Sequence, residues 1–311
     1  MSKLRISVVQ YLNTAPLVRG FTHGPLQGKY DLSFTVPSLC AEALRTGQAD
    51  VAIIPAIEYQ RIPDLVILPD LSIASKERVR SLLVVSRGPI RFAKKIALDR
   101  GSRSTQALTR ILCASRWNIT PEFREAEPSV ETMLADSDAA LVIGDPALRL
   151  AISAEKKTKP GRDGEWICEG ATVGLPQFPS LHIYDVVREW WQMTERPAVL
   201  AVWAARKEIV GDSLADEFLD SLNFGLEHLD AICKEASSEM NLPEKELKLY
   251  LKTNIDYSLD DENRKGLLAY YSHAVKLGLL EKLNPISIAG RTGVPARYMD
   301  FTWAKSQAPN S

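Results

Sequence analysis

Apolar and polar residues alternate over several short segments of the chain, and other short runs are wholly apolar. A period of two indicates a strand with one buried face, and a wholly apolar run indicates a strand that is covered on both faces. These patterns predict strands at 4–9, 30–36, 50–55, 66–68, 81–85, 95–99, 122–124, 138–143 and 197–205. Because helical segments separate most of these strands, the sequence predicts an α/β fold with mainly parallel sheets.

The predicted helices begin at residues that suit a first turn. Thr14 is the predicted N-cap of the first helix, because its hydroxyl can accept a free backbone N–H, and Pro16 fits the turn that follows. The other helices are predicted at 37–47, from 56, at 106–117, from 128, and at 184–193, 213–235, 243–251 and 260–277. The chain beyond residue 206 is therefore predicted to be helical, with a loose polar end.

Two stretches of the chain follow the same plan. Residues 37–54 and 128–142 each run from a Pro-Ser pair through a helix to an apolar strand, and the strand before Asn13 resembles the strand before Ser104. Two similar lobes with polar residues at equivalent strand ends predict a ligand cleft between them. We assign residues 1–88 and 198–311 to the first lobe, which includes the helical tail. The second lobe takes residues 89–197.

Composition narrows the class of protein. The chain has 311 residues, of which 45% are hydrophobic and 25% charged, with a net charge of −1. These values are typical of a globular protein, and they give no basic field for nucleic acid or a membrane surface. No apolar run approaches about 18 residues, the length of a membrane span. Because the N-terminus runs into a strand without an apolar leader, we expect a cytoplasmic protein.

The cysteines and histidines are too scattered to suggest a metal site. Cys40, Cys113, Cys168 and Cys233 form no C-x-x-C pair, so buried free thiols are the simplest interpretation. The four histidines show no metal-binding spacing. We therefore expect no bound metal.

The loop 101–105 is the clearest candidate for a ligand site. It opens a predicted helix, so free N–H groups and the positive end of the helix dipole face the loop. The hydroxyls of Ser102, Ser104 and Thr105 add donors and Arg103 adds charge, which suits a carboxylate or phosphate. The spacing of nucleotide-binding loops is absent. A capped helix with a solvated Arg103 would explain the same residues.

Other polar residues lie at strand ends with two interpretations each. Gly144 permits close backbone approach to a ligand and Asp145 can cap the next helix, although a tight turn explains both. Ser81 matters only if it faces the cleft, and Glu58 is either a surface charge or a cleft carboxylate. No Ser-His-Asp set or carboxylate pair can be assembled. The residues alone predict a two-lobed cytosolic protein that binds a small anion.

A series of motifs resembles the chorismate dehydratases, the MqnA family of the futalosine route to menaquinone. Residues 5–17, RISVVQYLNTAPL, closely resemble the N-terminus of that family. The rest of the pattern follows in order at 36–38, 50–52, 57–59, 79–83, 96–99, 102–105, 143–147 and 202–206. The likeness covers residues 4–206 well and the helical tail loosely.

The resemblance implies a type-II periplasmic-binding-protein-like fold that has become a cytoplasmic enzyme. It implies a lyase that converts chorismate to 3-[(1-carboxyvinyl)oxy]benzoate and water. Because loss of the C3 proton and the C4 hydroxyl makes the ring aromatic, no redox cofactor or metal is implied. The expected partner is this small molecule rather than nucleic acid or a membrane, and the oligomeric state stays open.

The resemblance also implies roles for individual residues. Asn13 and Ser81 are implied nearest the reacting carbons, with Ser81 relaying the C3 proton and Asn13 orienting the ring or the leaving hydroxyl. The implied substrate contacts are Tyr11, Ser38, Glu58, Ser102, Ser104, Thr105, Gly144 and Asp145. Pro55-Ala56 replaces the small serine-like residues expected there, which leaves the role of Glu58 open.

Three alternatives remain at the level of sequence. A non-catalytic solute-binding protein of the same fold is disfavoured by the missing leader and by the Asn13 motif. The paralogous enzyme acting on cyclic dehypoxanthine futalosine has a different opening motif. An effector-binding domain of a regulator would need a helix-turn-helix segment or a basic face, and neither is present.

Overall fold

The structure is a computed structural model that describes residues 3–158, 161, 165–292 and 294–299. Contacts along the chain separate two units. The first unit holds the chain up to Ala74 and from Arg196 onward, and the second unit is Ser75–Glu195. The polar end of the chain, which is predicted to be loose, lies outside the described residues.

The described residues form two β-sheets, whose strands are three to eleven residues long. In chain order they are β1 (Arg5–Val9), β2 (Asp31–Thr35), β3 (Val51–Pro55), β4 (Leu65–Ser75), β5 (Leu82–Ser86), β6 (Lys95–Asp99), β7 (Glu122–Ala126), β8 (Ala139–Ile143), β9 (Trp166–Cys168), β10 (Leu181–Asp185), β11 (Ala198–Arg206), β12 (Ile286–Ile288) and β13 (Arg297–Met299).

Helices follow most of these strands and are numbered in the same way. They are α1 (Ala15–His23), α2 (Pro37–Arg45), α3 (Ala56–Tyr59), α4 (Arg103–Ser115), α5 (Val130–Ala135), α6 (Gly144–Glu155), α7 (Val186–Thr194), α8 (Asp212–Glu227), α9 (Leu229–Met240), α10 (Glu244–Leu249) and α11 (Asp261–Lys276). None of the helices in the described ranges is long and apolar enough to cross a membrane.

Each unit is built on its own sheet. The first sheet has the order β13-β12-β4-β11-β3-β1-β2, and the second has the order β7-β6-β8-β5-β10-β9. Every residue of β3, β5 and β8 is buried, which is the burial expected of strands with helices on both faces. The α/β class is thus confirmed. The strand directions are mixed, because β11 is antiparallel to β3, and β5 is antiparallel to both β8 and β10.

Small residues let the first helix of the chain pack closely. A Cβ added to Gly20 of α1 would lie 2.5 Å from the Cα of Ser221 on α8. A Cβ added to Gly225 would lie 2.0 Å from the carbonyl oxygen of Pro16. Because real Cβ atoms do not approach backbone so closely, these two glycines fix the crossing of α1 and α8. This crossing holds the helix that follows Asn13.

Several sequence expectations differ from the structure. The predicted range 1–88 assigns β5 to the first unit, whereas β5 pairs with β8 and β10 of the second sheet. The helix predicted at 184–193 begins instead at Val186, because Tyr184 and Asp185 end β10. The region beyond 206 also holds β12 and β13, which are too short to show a period of two. The four cysteines are buried and free, as expected.

Candidate functional site

The Asn13 segment of the first unit lies just beyond the carboxyl end of β1. Leu12–Thr14 form one 3-10 turn, which leads directly into α1. Thr14 occupies the N-cap position, but its hydroxyl caps no backbone N–H. It lies 3.3 Å from Oδ1 of Asn13 and donates to that atom instead. The 3-10 turn explains this difference, because it gives Thr14 helical dihedral angles rather than the extended ones of a normal N-cap.

Asn13 is half-buried, and its side-chain amide can donate hydrogen bonds to a ligand. Its Oδ1 accepts from Thr14, whereas within the described residues its amide nitrogen has no hydrogen-bond partner. A side-chain amide carries two N–H donors, so both are available to a ligand. Neighbouring Tyr11 is also half-buried, in extended backbone before the turn.

Ser38 comes to the same edge of the first sheet as Asn13. β1 and β2 are parallel, with Val9 opposite Thr35, so their carboxyl ends coincide. α2 begins with Pro37 two residues beyond β2, and Ser38 is half-buried in its first turn. The predicted residues Asn13 and Ser38 therefore share one sheet edge, where α/β proteins bind ligands.

Glu58 has a different environment. It is buried in α3, and its carboxylate pairs with Arg45 of α2 and, at 2.9 Å, with Nη1 of Arg61. A buried carboxylate with two arginine partners joins α2 to α3, which favours a structural role. We therefore leave Glu58 out of the substrate contacts proposed below.

The second unit collects the remaining predicted residues at one edge of its sheet. β5 and β8 are antiparallel with Leu82 opposite Ile143, so Ser81, just before β5, lies beside Gly144, just after β8. The N–H of Gly144 donates to the carbonyl of Ser81 at 2.8 Å. β6 is parallel to β8, which places the segment after Asp99 at the same edge. Ser81 itself is buried.

The segment after β6 is held by its own hydrogen bonds. Oδ1 of Asp99 accepts from the N–H of Gly101 at 2.8 Å, and Nε2 of Gln106 donates to the carbonyl of Asp99 at 2.9 Å. The hydroxyl of Ser102 donates to that of Thr105 at 2.7 Å. Burial raises the pKa of Asp99, although the Gly101 N–H opposes the shift. Asp99 and Gln106 were not predicted; an Asp at a strand end two residues before a glycine is the signal for this turn.

Helix α4 begins earlier than predicted. It starts at Arg103, so Ser104 and Thr105 are buried in its first turn rather than in a loop. Ser102 is at the N-cap position without a side-chain cap bond. First-turn N–H groups and the positive end of the dipole therefore lie at this sheet edge, as an anion site requires.

Gly144 and Asp145 open helix α6. Gly144 has a φ of 67°, a left-handed conformation that favours glycine. Ile143 occupies the N-cap position, so Asp145 does not cap the helix as expected but lies half-buried in its first turn. There its charge complements the helix dipole. No cluster of three His, Cys, Asp or Glu side chains that could hold a metal occurs in the part of the chain that the structure describes.

Solved structures with a similar fold include binding proteins. Protein AF1704 from Archaeoglobus fulgidus is 16% identical with a TM-score of 0.66, covering 89% of this chain and 98% of its own. The alkanesulfonate-binding protein SsuA from Xanthomonas axonopodis is 17% identical with a TM-score of 0.59, covering 91% and 95%. At these identities the likeness establishes the fold, which is of the periplasmic-binding-protein kind.

Sequence relatives add to this result. A chorismate dehydratase from Thermus thermophilus is 27% identical over 279 residues, which cover 88% of this chain and 95% of the relative. A family model described as menaquinone biosynthesis matches residues 4–276. That match includes both sheet edges described above, and the chain therefore belongs to the menaquinone-biosynthesis family.

Proposed function

We propose that this protein is a chorismate dehydratase, a carbon–oxygen lyase that forms 3-[(1-carboxyvinyl)oxy]benzoate and water. The observation that carries the proposal is the similarity to the Thermus chorismate dehydratase over 95% of that protein's length. We place the reaction early in the futalosine route to menaquinone and in the cytoplasm, with a small molecule as the partner rather than nucleic acid or a membrane. The membership in the menaquinone-biosynthesis family supports this placement.

The reaction demands little of the protein beyond placement and charge stabilisation. The C3–H bond breaks, its electron pair forms a ring double bond, and the C4–O bond breaks with loss of hydroxide. The proton and the hydroxide together account for the water released, and aromatisation of the ring drives the step. The protein must hold a dianion, move one proton and stabilise a leaving hydroxide by preorganised donors.

We assign the reacting end of chorismate to Asn13 and Ser81. In this assignment an amide N–H of Asn13 donates to the C4 oxygen as that bond breaks. The amide nitrogen has no hydrogen-bond partner in the described part of the chain, which supports this role. The hydroxyl of Ser81 relays the C3 proton, with a carboxylate of the substrate as the acceptor. Serine alone is a weak base, so a relay fits its chemistry better than full deprotonation.

We assign the carboxylates of chorismate to backbone and hydroxyl donors. Ser102, Ser104, Thr105 and the backbone at Gly144 supply them in the second unit, and the first turn of α4 adds its dipole. Asp145 contributes through its backbone, because its charge would repel a dianion. Tyr11 and Ser38 are the contacts proposed from the first unit.

Incubating the purified protein with chorismate tests the function directly. We expect the ultraviolet spectrum to change as an aromatic product accumulates, and mass spectrometry to find a product lighter than chorismate by one water. Tight binding of chorismate without turnover would indicate a solute-binding protein instead. Turnover of cyclic dehypoxanthine futalosine but not of chorismate would indicate the paralogous enzyme.

A further inference from the structure

The residues immediately before Ser81 adopt an unusual backbone conformation. Arg80 has a φ of 64°, in the left-handed region, and only 2% of its surface is exposed. A bulky residue takes this conformation at a cost of about 1–2 kcal/mol. Such a conformation persists only where the surrounding contacts enforce it. The direction in which the chain enters β5, and hence the position of Ser81, depends on those contacts.

Asp185 supplies contacts of this kind from β10. Its Oδ2 accepts from the backbone N–H of Arg80 at 2.7 Å and of Val79 at 3.0 Å. Its Oδ1 accepts from the N–H of Val187 at 3.0 Å and of Arg188 at 3.1 Å. One buried carboxylate therefore caps α7 with one oxygen and holds the residues before Ser81 with the other.

Two further contacts complete the support of this segment. Nη2 of the Arg80 side chain pairs with Glu155, at the end of α6, at 2.8 Å. The N–H of Gly144, at the start of the same helix, donates to the carbonyl of Ser81. Ser81 is thus held through its own carbonyl and through both the backbone and the side chain of its neighbour.

Capping alone does not account for a charged residue at position 185. Asparagine caps helices as well as aspartate does, without the cost of burying a charge. That cost is visible here, because burial raises the pKa of Asp185 against the opposing effect of its N–H partners. Only a carboxylate can accept N–H groups from both sides at once.

Building on the function proposed above, we propose that Asp185 is a positioning residue for Ser81, holding Val79 and Arg80 so that the serine hydroxyl meets the substrate.

The substitution Asp185→Asn separates the two tasks of this residue. The Asn oxygen can still cap α7, whereas its NH₂ group then faces the N–H groups of Val79 and Arg80. We expect kcat to fall about 10- to 100-fold, the loss that follows from a displacement near 1 Å, with KM changed less than about twofold. Asp185→Ser, which keeps a capping oxygen, serves if the Asn variant fails to fold.

Glu189→Gln is the matched control. Glu189 is also on α7 and buried, but it accepts from Nε1 of Trp117 and Nε of Arg116 instead of the Ser81 segment. We expect wild-type kcat from this control even if it unfolds at a lower denaturant concentration. A wild-type kcat for Asp185→Asn, or an equal loss in both variants, would overturn the inference.

Two further measurements tie the effect to Ser81. In the Ser81→Ala background, Asp185→Asn should lower kcat by less than about twofold, because residues that act through one group are not additive. A further tenfold loss would show that Asp185 acts elsewhere. Amide exchange at Val79 and Arg80 should quicken in Asp185→Asn and stay unchanged in Glu189→Gln. This readout tests the positioning even if chorismate proves not to be the substrate.

Discussion

In the first sheet β1 lies between β2 and β3, and in the second sheet β6 lies between β7 and β8. All three strands are parallel in each case. An antiparallel strand then follows in both, β11 beside β3 and β5 beside β8. The two units therefore repeat one strand plan, which lets their equivalent positions be compared one by one.

The amino ends of the two plans are alike. Asp50 precedes β3 and accepts from the N–H of Arg5 at 2.8 Å, at the start of the central strand β1. Asp138 precedes β8 and accepts from the N–H of Lys95 at 3.0 Å, at the start of the central strand β6. In both units a carboxylate before one strand accepts a hydrogen bond from the first residue of the middle strand. This contact stabilises the sheet.

The carboxyl ends of the two plans differ. In the first unit Asn13 is half-buried, and its amide nitrogen has no partner among the residues that the structure describes. In the second unit Ser81, Ser102 and Thr105 are buried and contact neighbouring residues. The two units therefore share the stabilising contacts at the amino ends of their strands and differ in the polar residues at the carboxyl ends. The varied end is where ligands bind in α/β sheets, so the differences concern function.

Removing the Ser81 hydroxyl is the strongest test of this contrast. We expect Ser81→Ala to lower kcat about 10²- to 10⁴-fold, the range for losing a proton-transfer group, with normal folding. Ser86→Ala is the control, because Ser86 is equally buried at the other end of β5. Steady-state turnover of chorismate measures both. Equal activity in the two variants would remove Ser81 from the mechanism.

Asn13 tests the first unit in the same assay. Asn13→Ala and Asn13→Asp should each lower kcat/KM about 10²- to 10³-fold, as loss of one oxyanion donor does. The Asp variant still accepts from Thr14 but adds a negative charge that would repel a dianion, so its loss should equal or exceed that of the Ala variant. Wild-type kinetics in the Asp variant would mean that the amide donates nothing to the reaction.

Much of the repeated plan was predictable from residue patterns. The apolar runs at β3, β6 and β8 and the helix start at Pro37 carry strong local signals, and the structure bears them out. β10 was not predicted, because Asp185, its last residue, is also a residue type that is common in the first turn of a helix. The mixed strand directions depend on pairings between distant segments, which no local pattern encodes.

The sequence predicted where the polar residues lie relative to the strands better than it predicted their burial and hydrogen-bond partners. The pattern located Asn13, Ser81 and Gly144 at strand ends, where the structure has them. It could not distinguish a surface charge from a buried one at Glu58, whose partner Arg45 lies thirteen residues away. It also missed Asp185, whose contacts with Val79 and Arg80 span more than a hundred residues. Long-range hydrogen bonds of this kind form only in the folded chain.

Glu58 allows the structural and ligand-binding roles in the first unit to be separated. We expect Glu58→Gln to lower the free energy of unfolding by about 1.5–3 kcal/mol, because two hydrogen bonds to charged groups weaken. KM for chorismate should stay unchanged. Urea unfolding and steady-state kinetics measure the two effects.

The control is Glu42→Gln, which removes a surface partner of Arg45 and should change the free energy of unfolding by less than about 0.5 kcal/mol. A raised KM with wild-type stability would indicate that Glu58 contacts the substrate.

Gly144 tests the strand end of the second unit. Gly144→Ala forces a side chain into the left-handed region, so we expect a loss of about 1–2 kcal/mol in the free energy of unfolding. Gly88→Ala is the control, because Gly88 has a negative or extended φ and open space around it. The control should leave stability unchanged or raise it slightly. Equal stability of the two variants would show that the turn relaxes without cost.

The smallest expected effect concerns the shared amino ends. The Arg5 guanidinium lowers the pKa of Asp50. Burial acts to raise the pKa of Asp138, but the N–H groups of Lys94 and Lys95 and the Arg87 guanidinium outweigh it, so that pKa is lowered too.

Because both carboxyls bind protons more weakly in the folded state, acid protonates the unfolded chain first and favours unfolding. Their stabilisation should be complete above about pH 5 and should disappear as the pH falls through the lowered pKa values, below the usual value near 3.9. Asp50→Asn and Asp138→Asn should therefore unfold more easily than the wild type at pH 7, by similar amounts, with a difference that shrinks toward pH 3. Chemical unfolding between pH 3 and 7 measures this. A pH-independent difference in only one variant would show that the two units do not share this device, and that their similarity ends at strand order.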